Sequence, residues 1–288
     1  MGIENLNIKI GKLPSGKNNL ISDVKGIKVG HTTLNDGKIK TGVTALIPHT
    51  GNIFKEKLIC SSYVINGFGK SCGLMQIDEL GTLETPIILT NTLSVGTASN
   101  ALIKYMIKNN EDIGTTTGTV NPIVCECNDG FLNDIKGFHV KEEHVFQALE
   151  NAEVKFQEGS IGAGTGMSCY QLKGGIGSAS RVIKLDEKEY TIGAMVLSNF
   201  GLKKDLIING KKVGEKIITM ENEEQLEKGS IIIILATDIP MSERQLKRIS
   251  KRVPVSLART GSHIGNGSGD IVIAFTTANK VNHHEKKD

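Results

Sequence analysis

Ser268 stands between two glycines in the segment Gly265-Asn266-Gly267-Ser268-Gly269-Asp270, and the apolar run Ile271-Val272-Ile273-Ala274-Phe275 follows at once. A hydroxyl flanked by residues without side chains, at the mouth of an expected strand, suits a nucleophile. It equally suits a turn, because Asn-Gly and Ser-Gly are ordinary turn dipeptides. A serine hydroxyl needs a base. The seven histidines, His31, His49, His139, His144, His263, His283 and His284, are scattered without a triad pattern. No Gly-x-Ser-x-Gly elbow leads from a strand into a helix. One route needs no histidine: the bond before the serine is cut, and the freed α-amine, with an unperturbed pKa of about 7.7–8.0, serves as base. Gly267 leaves its own carbonyl unobstructed for such an attack.

Three other stretches carry candidate chemistry. The glycine-rich run from Glu158 to Arg181 contains Gly162-x-Gly164-x-x-Met167, which lacks the third glycine of a dinucleotide loop. It reads better as backbone lining a pocket, with Tyr170 and Lys173 as the polar groups able to reach in, or as a structural turn with Tyr170 in the core. Asn199 ends an expected strand in Leu197-Ser198-Asn199-Phe200-Gly201. Its amide could serve a developing oxyanion, and the same pattern fits a strand-ending turn. Pro86-Ile87-Ile88-Leu89-Thr90-Asn91-Thr92 takes a strand into a hydroxyl- and amide-rich loop, either a site lining or a helix cap. The five cysteines, Cys60, Cys72, Cys125, Cys127 and Cys169, are an odd set, and Cys125-x-Cys127 is too tight for zinc spacing. They read as reduced structural thiols.

The elements that must position these groups alternate. Strands are expected at Ile27–Val29, Gly42–Ile47, Ile87–Thr90, Thr191–Leu197, Ser230–Ala236 and Ile271–Thr277, the last two apolar on both faces. Helices are expected after Ser99, with Leu102, Tyr105 and Met106 inward, and over Glu142–Ala152. A third follows the capping box Ser242-Glu243-Arg244-Gln245, with Leu246, Ile249 and Val253 on one face and basic residues on the other. Mixed strands and helices predict a layered α/β or α+β domain. With 288 residues and no linker or repeat, a single domain over 1–288 is expected. A net charge of +3 argues for neither nucleic acid nor an anionic membrane as partner. No apolar run approaches a membrane span, and Met1-Gly2-Ile3-Glu4-Asn5 does not read as a signal peptide, so the cytoplasm is the expected compartment.

Taken in order, Ile21–His31, Pro86–Gly96, Thr119–Gly130, Gly159–Arg181, Ala236–Pro240 and Gly265–Asp270 resemble the P1 peptidase family. It is also called the DmpA or L-aminopeptidase/D-esterase family and includes β-aminopeptidases. The resemblance implies an αββα sandwich of the N-terminal-nucleophile-hydrolase kind. It implies a precursor that cuts itself before its nucleophile, here between Gly267 and Ser268. It casts Ser268 as the nucleophile, Asn199 as the oxyanion-stabilising residue and Tyr170 as a further catalytic position. The implied activity releases N-terminal residues from small peptides, amides or esters, with no metal or other cofactor, in a homo-oligomer. The family's second chain is much longer than the 20 residues that follow Ser268 here. It supplies more strands and a paired hydroxyl or carboxylate that orients the nucleophile's amine. The chain is therefore expected to lack those groups, as a fragment or truncated product. Two alternatives accompany this reading: acyl transfer of the ornithine acetyltransferase type, and a non-catalytic binding or assembly remnant.

Overall fold

The computed structural model describes residues 10–217 and 228–284. In chain order the strands are β1 (Lys28–Asp36), β2 (Ile39–Ile47), β3 (Glu56–Gly67), β4 (Thr82–Leu83), β5 (Ile87–Asn91), β6 (Ile123–Cys127), β7 (Ser168–Cys169), β8 (Leu172–Lys173), β9 (Gly175–Leu185), β10 (Lys188–Asn199), β11 (Ile207–Ile208), β12 (Lys211–Lys212), β13 (Lys228–Thr237) and β14 (Gly267–Asn282). The helices are α1 (Leu74–Leu80), α2 (Val95–Asn109), α3 (Glu142–Glu150), α4 (Gly214–Ile217), α5 (Glu243–Ser250) and α6 (Val253–Ala258). One sheet runs β1-β2-β5-β6 and the other β4-β3-β14-β13-β10-β9. Helices α2 and α3 cover the first sheet, and α1 and α5 pack on the second. The layers are αββα, the expected fold, and β6 meets β13 and β10 across the middle.

The apolar runs explain the layering. A strand points successive side chains to opposite faces. Ile232, Ile234 and Ala236 of β13, with Ile271, Ile273 and Phe275 of β14, face the first sheet and join the main core. Ile231, Ile233 and Val272 face away and meet Tyr170, Phe200 and Leu257 in a smaller core. Two buried faces are why these runs never alternate with polar residues. β14 is paired on both sides, parallel to β13 and antiparallel to β3.

The helix boundaries differ from the sequence reading in two places. α2 begins at Val95, so Ser99 lies inside it. Its entry is set by the preceding turn, where the Asn91 side chain accepts the Ser94 N–H at 3.0 Å. The Ser242–Gln245 box forms in both directions, at 3.3 and 2.9 Å. However, α5 stops at Ser250 and Val253 opens α6, with Pro254 in its first turn, where its missing N–H costs nothing. No helix among the described residues is long and apolar enough to cross a membrane.

Candidate active site

β13 and β14 run in parallel register with Gly229 opposite Ser268 and Ser230 opposite Gly269. β10 runs antiparallel on the other side of β13, so its last residue, Asn199, is opposite Ser230. The ends of β5 and β6 bring Thr92 and Glu126 to the same edge. A cavity of about 1130 Å³ opens there, lined by Ser230, Gly229, Asn199, Glu126 and Thr92 among others.

Asn199 is oriented from both ends of its amide. Its Oδ1 accepts the Ser168 N–H at 2.9 Å, and its Nδ2 donates to the Asn128 carbonyl at 2.9 Å. An amide nitrogen carries two hydrogens. The second remains for the cavity that Asn199 lines.

Ser230, expected from the sequence only as the start of a strand, lines the cavity opposite Asn199. Its Oγ donates to the Gly229 carbonyl at 2.6 Å and accepts the Gly269 N–H at 3.2 Å. Gly229 has φ +146°, and a Cβ there would lie 2.0 Å from the Asn199 carbonyl oxygen. Only glycine fits this close approach. The available signal was the pair Gly229-Ser230 at the head of Ile231–Leu235, the same arrangement as Gly267-Ser268 before Ile271.

Ser268 is at the same edge but on the other face. Pleat alternation sets it and Asp270 with Ile231 and Val272, away from Ser230 and Asn199. Ser268 is buried and is not among the residues lining the cavity, although Gly267 is. Its N–H closes the turn onto Gly265 O at 2.9 Å, and Asn66 Nδ2 binds the carbonyls of Gly265 and Asn266 at 3.0 and 3.3 Å. Its Oγ donates to Asp270 Oδ1 at 2.6 Å, and that oxygen also accepts the Ile231 N–H at 3.2 Å. A hydroxyl–carboxylate pair therefore flanks Ser230 across the ladder.

Glu126 was also missed. It is buried in β6, with Oε1 accepting the Lys70 N–H at 2.8 Å and Oε2 accepting the Thr92 hydroxyl. Among the described residues no basic side chain pairs with it. A lone carboxylate inside Ile123–Cys127 was its sequence signal.

Tyr170 lies away from the cavity lining. Its ring packs at 5.2 Å from Phe200 and its hydroxyl is 2.7 Å from Thr260 Oγ1. Lys173 is used structurally: its ammonium donates to the carbonyls of Gly164, Met167 and Gly174 at 3.0, 2.9 and 2.7 Å, tying the glycine-rich loop together. Burial lowers its pKa. The five thiols are free, and burial pushes that of Cys125 up to about 12, the behaviour of an inert core cysteine. Asp112, His283 and His284 bring ligand-type atoms within 4.8 Å of one another. Lys55 ion-pairs with Asp112, and Lys57 Nζ lies 3.0 Å from His283 Nδ1, so two ammonium groups oppose a cation there.

An αββα sandwich with a serine opening a central strand beside a held asparagine amide defines a hydrolase of the N-terminal-nucleophile kind. The profile of peptidase family S58 matches residues 19–288, and the chain belongs to that family. It is a peptidase of the aminopeptidase type. The chain is similar to the beta-peptidyl aminopeptidase BapA of Sphingosinicella microcystinivorans, at 38% identity over 92% of this chain and 72% of the relative. Among solved structures it resembles the PH0078 protein of Pyrococcus horikoshii OT3, with a TM-score of 0.95 and 54% identity over 100% of this chain and 82% of that one. It also resembles the L-aminopeptidase D-Ala-esterase/amidase of Ochrobactrum anthropi, a serine aminopeptidase with a variant of the Ntn-hydrolase fold. There the TM-score is 0.89 and the identity 36%, covering 96% and 78% of the two chains.

Proposed function

We propose that the chain is a self-processing serine aminopeptidase whose nucleophile is Ser230, freed by a cut between Gly229 and Ser230. The observation that carries this reading is that Ser230, and not Ser268, opens into the cavity beside Asn199. In the first turnover Ser230 Oγ attacks the Gly229 carbonyl carbon. The amide nitrogen takes a proton and leaves as the Ser230 α-amine, and water hydrolyses the resulting ester. In later turnovers that amine accepts the Oγ proton as the hydroxyl attacks a substrate carbonyl, then passes it to the departing amine, and water hydrolyses the acyl-serine ester to free the acid and restore the hydroxyl. The free N–H of Asn199 holds the oxyanion. Glu126 receives the substrate's ammonium, a counter-charge it does not have among the described residues. Asp270 and Ser268 orient the Ser230 amine, a role supported by Asp270 already holding the next N–H, that of Ile231.

The second reading keeps the cut at Gly267–Ser268 with Ser268 as nucleophile. It is favoured by the 2.6 Å bond from Ser268 Oγ to a carboxylate able to take its proton. The intact mass of the purified chain under denaturing conditions separates the two. A fragment spanning 230–288 supports the first, and one spanning 268–288 supports the second. On either reading the substrates are short peptides, amides or esters with a free N-terminal amine. The beta-peptidyl aminopeptidase relatives add β-amino acid substrates to the α-series worth assaying. Tyr170 supports the site from beneath as packing for the Phe200–Gly201 turn: a Cβ on Gly201 would come 2.5 Å from its ring. A homo-oligomer follows from the family resemblance, and free thiols suit a reducing compartment such as the cytoplasm.

A further inference from the structure

We propose that the mouth of the cavity is an apolar subsite for the side chain of the substrate's N-terminal residue, so that the enzyme prefers peptides and amides beginning with a large aliphatic or aromatic residue. The proposal rests on the aminopeptidase reading above. Phe131 is 83% exposed and Phe68 62% exposed, although both line the cavity. Ile135 and Leu202 line it with them. Large apolar groups left in water at the rim of a cavity gain by taking an apolar occupant. Phe68 lies two residues before Lys70, whose N–H holds Glu126. An amine bound at Glu126 therefore sets its own residue's side chain beside Phe68. Lys70 Nζ lies 4.5 Å from the centre of the Phe68 ring, so its stem adds to this apolar wall while its charge covers one ring face. Phe131 rises from the loop whose Asn128 carbonyl accepts the Asn199 amide. The apolar rim is thus tied to both ends of the reacting group: the amine at Glu126 and the carbonyl at Asn199. A small side chain entering here would leave both rings wet.

Steady-state rates of the self-processed full chain on the p-nitroanilides of Gly, Ala, Leu, Phe and Asp test this. Transfer of the extra carbons of leucine predicts kcat/KM about tenfold or more above alanine. Phe131→Ala narrows the Leu-to-Ala ratio to about threefold or less, while Phe131→Leu restores it. A flat series, or one led by Gly or Asp, overturns the subsite. So does a Phe131→Ala protein that keeps the ratio and changes only its oligomeric mass, because Phe131 would then be an interface residue. Where no anilide is turned over, competition between Leu-amide and Ala-amide for binding, read by calorimetry, reports the same preference. N-acetyl-Leu p-nitroanilide keeps the two readings apart. Its ready hydrolysis sinks the aminopeptidase reading, whereas its refusal beside a flat series sinks only the subsite.

Discussion

Two Gly-Ser pairs lie side by side on neighbouring parallel strands, each at the head of an apolar run, yet they have opposite surroundings. Ser230 faces the space between the sheets, beside Asn199 and the cavity. Ser268, one register step away on β14, faces outward, with its hydroxyl bonded to Asp270 and its turn clamped by Asn66. The strands are about 4.8 Å apart, and one residue of register decides which face a side chain serves. What separates the cavity-facing serine from the outward-facing one here is therefore the parity of the strand. The local sequence is nearly the same.

The largest effect should come from exchanging the two serines one at a time. Ser230→Ala is expected to leave an uncut chain and to lower amide hydrolysis by about 10⁴-fold or more, as removal of a covalent nucleophile does. Ser268→Ala is expected to keep the cut before Ser230 and to lower kcat by roughly 10–100-fold through a poorly oriented amine. Mass spectrometry and anilide rates read both. The reverse ranking would move the nucleophile to β14 and undo the comparison.

Next is the group that shares a face with Ser230 and not with Ser268. Asn199→Ala removes the cavity-facing N–H and should cost roughly 10²–10³ in kcat, with KM little changed, because the bond forms with the oxyanion and not with the resting carbonyl. A loss confined to KM would make Asn199 a ground-state contact instead.

The sheet-forming apolar runs were legible because two buried faces leave continuous isoleucine and valine. β3 and β6 were not. β3 carries Ser61, Ser62 and a register shift against β14, and β6 holds Glu126 between two cysteines. Both look polar until their partners supply the hydrogen bonds. For the site, Asn199 was legible as a strand end with an amide. Ser268 was legible as a special serine whose face was not, since parity relative to a partner strand 38 residues earlier is a tertiary fact. The expected lack of a hydroxyl–carboxylate pair depended on taking Ser268 as the nucleophile; on the proposed reading with Ser230, Ser268 and Asp270 are the candidates for that pair.

The pH profile distinguishes the chemistry at Ser230 from the tolerance of the scaffold beneath it. A freed α-amine acting as base gives a rising limb near about pH 8. His31 acts elsewhere: burial lowers its pKa from 6.5 to about 4, and its Nδ1 is 2.9 Å from Thr44 Oγ1 under the glycine-rich loop. The folded state refuses a proton that the unfolded chain accepts. This contribution is full above pH 6.5 and is lost as pH falls toward 4. It should cost about 2 kcal/mol of stability at pH 5 relative to pH 8. Thermal melts across that range test it, and His31→Gln should flatten the fall. Activity lost below pH 6 in step with unfolding then belongs to His31 and not to the nucleophile.

The smallest effect expected is at Tyr170, which shares the outward face with Ser268. Its hydroxyl bonds Thr260 and its ring fills the space beneath Gly201, where a Cβ would be 2.5 Å away. Tyr170→Phe keeps the ring and removes the hydroxyl's bond to Thr260, a loss of about 1 kcal/mol in a denaturant titration. Thr260 Oγ1 retains its bond to the Leu257 carbonyl at 2.7 Å and is not orphaned. The rate on a small amide should change by only a few-fold, because no group in the cavity moves. A drop of a hundredfold with unchanged stability would mean that the Tyr170 hydroxyl reaches the reacting atoms after the chain is cut. The outward face would then take part in the chemistry, and the division between the two serines would have to be redrawn.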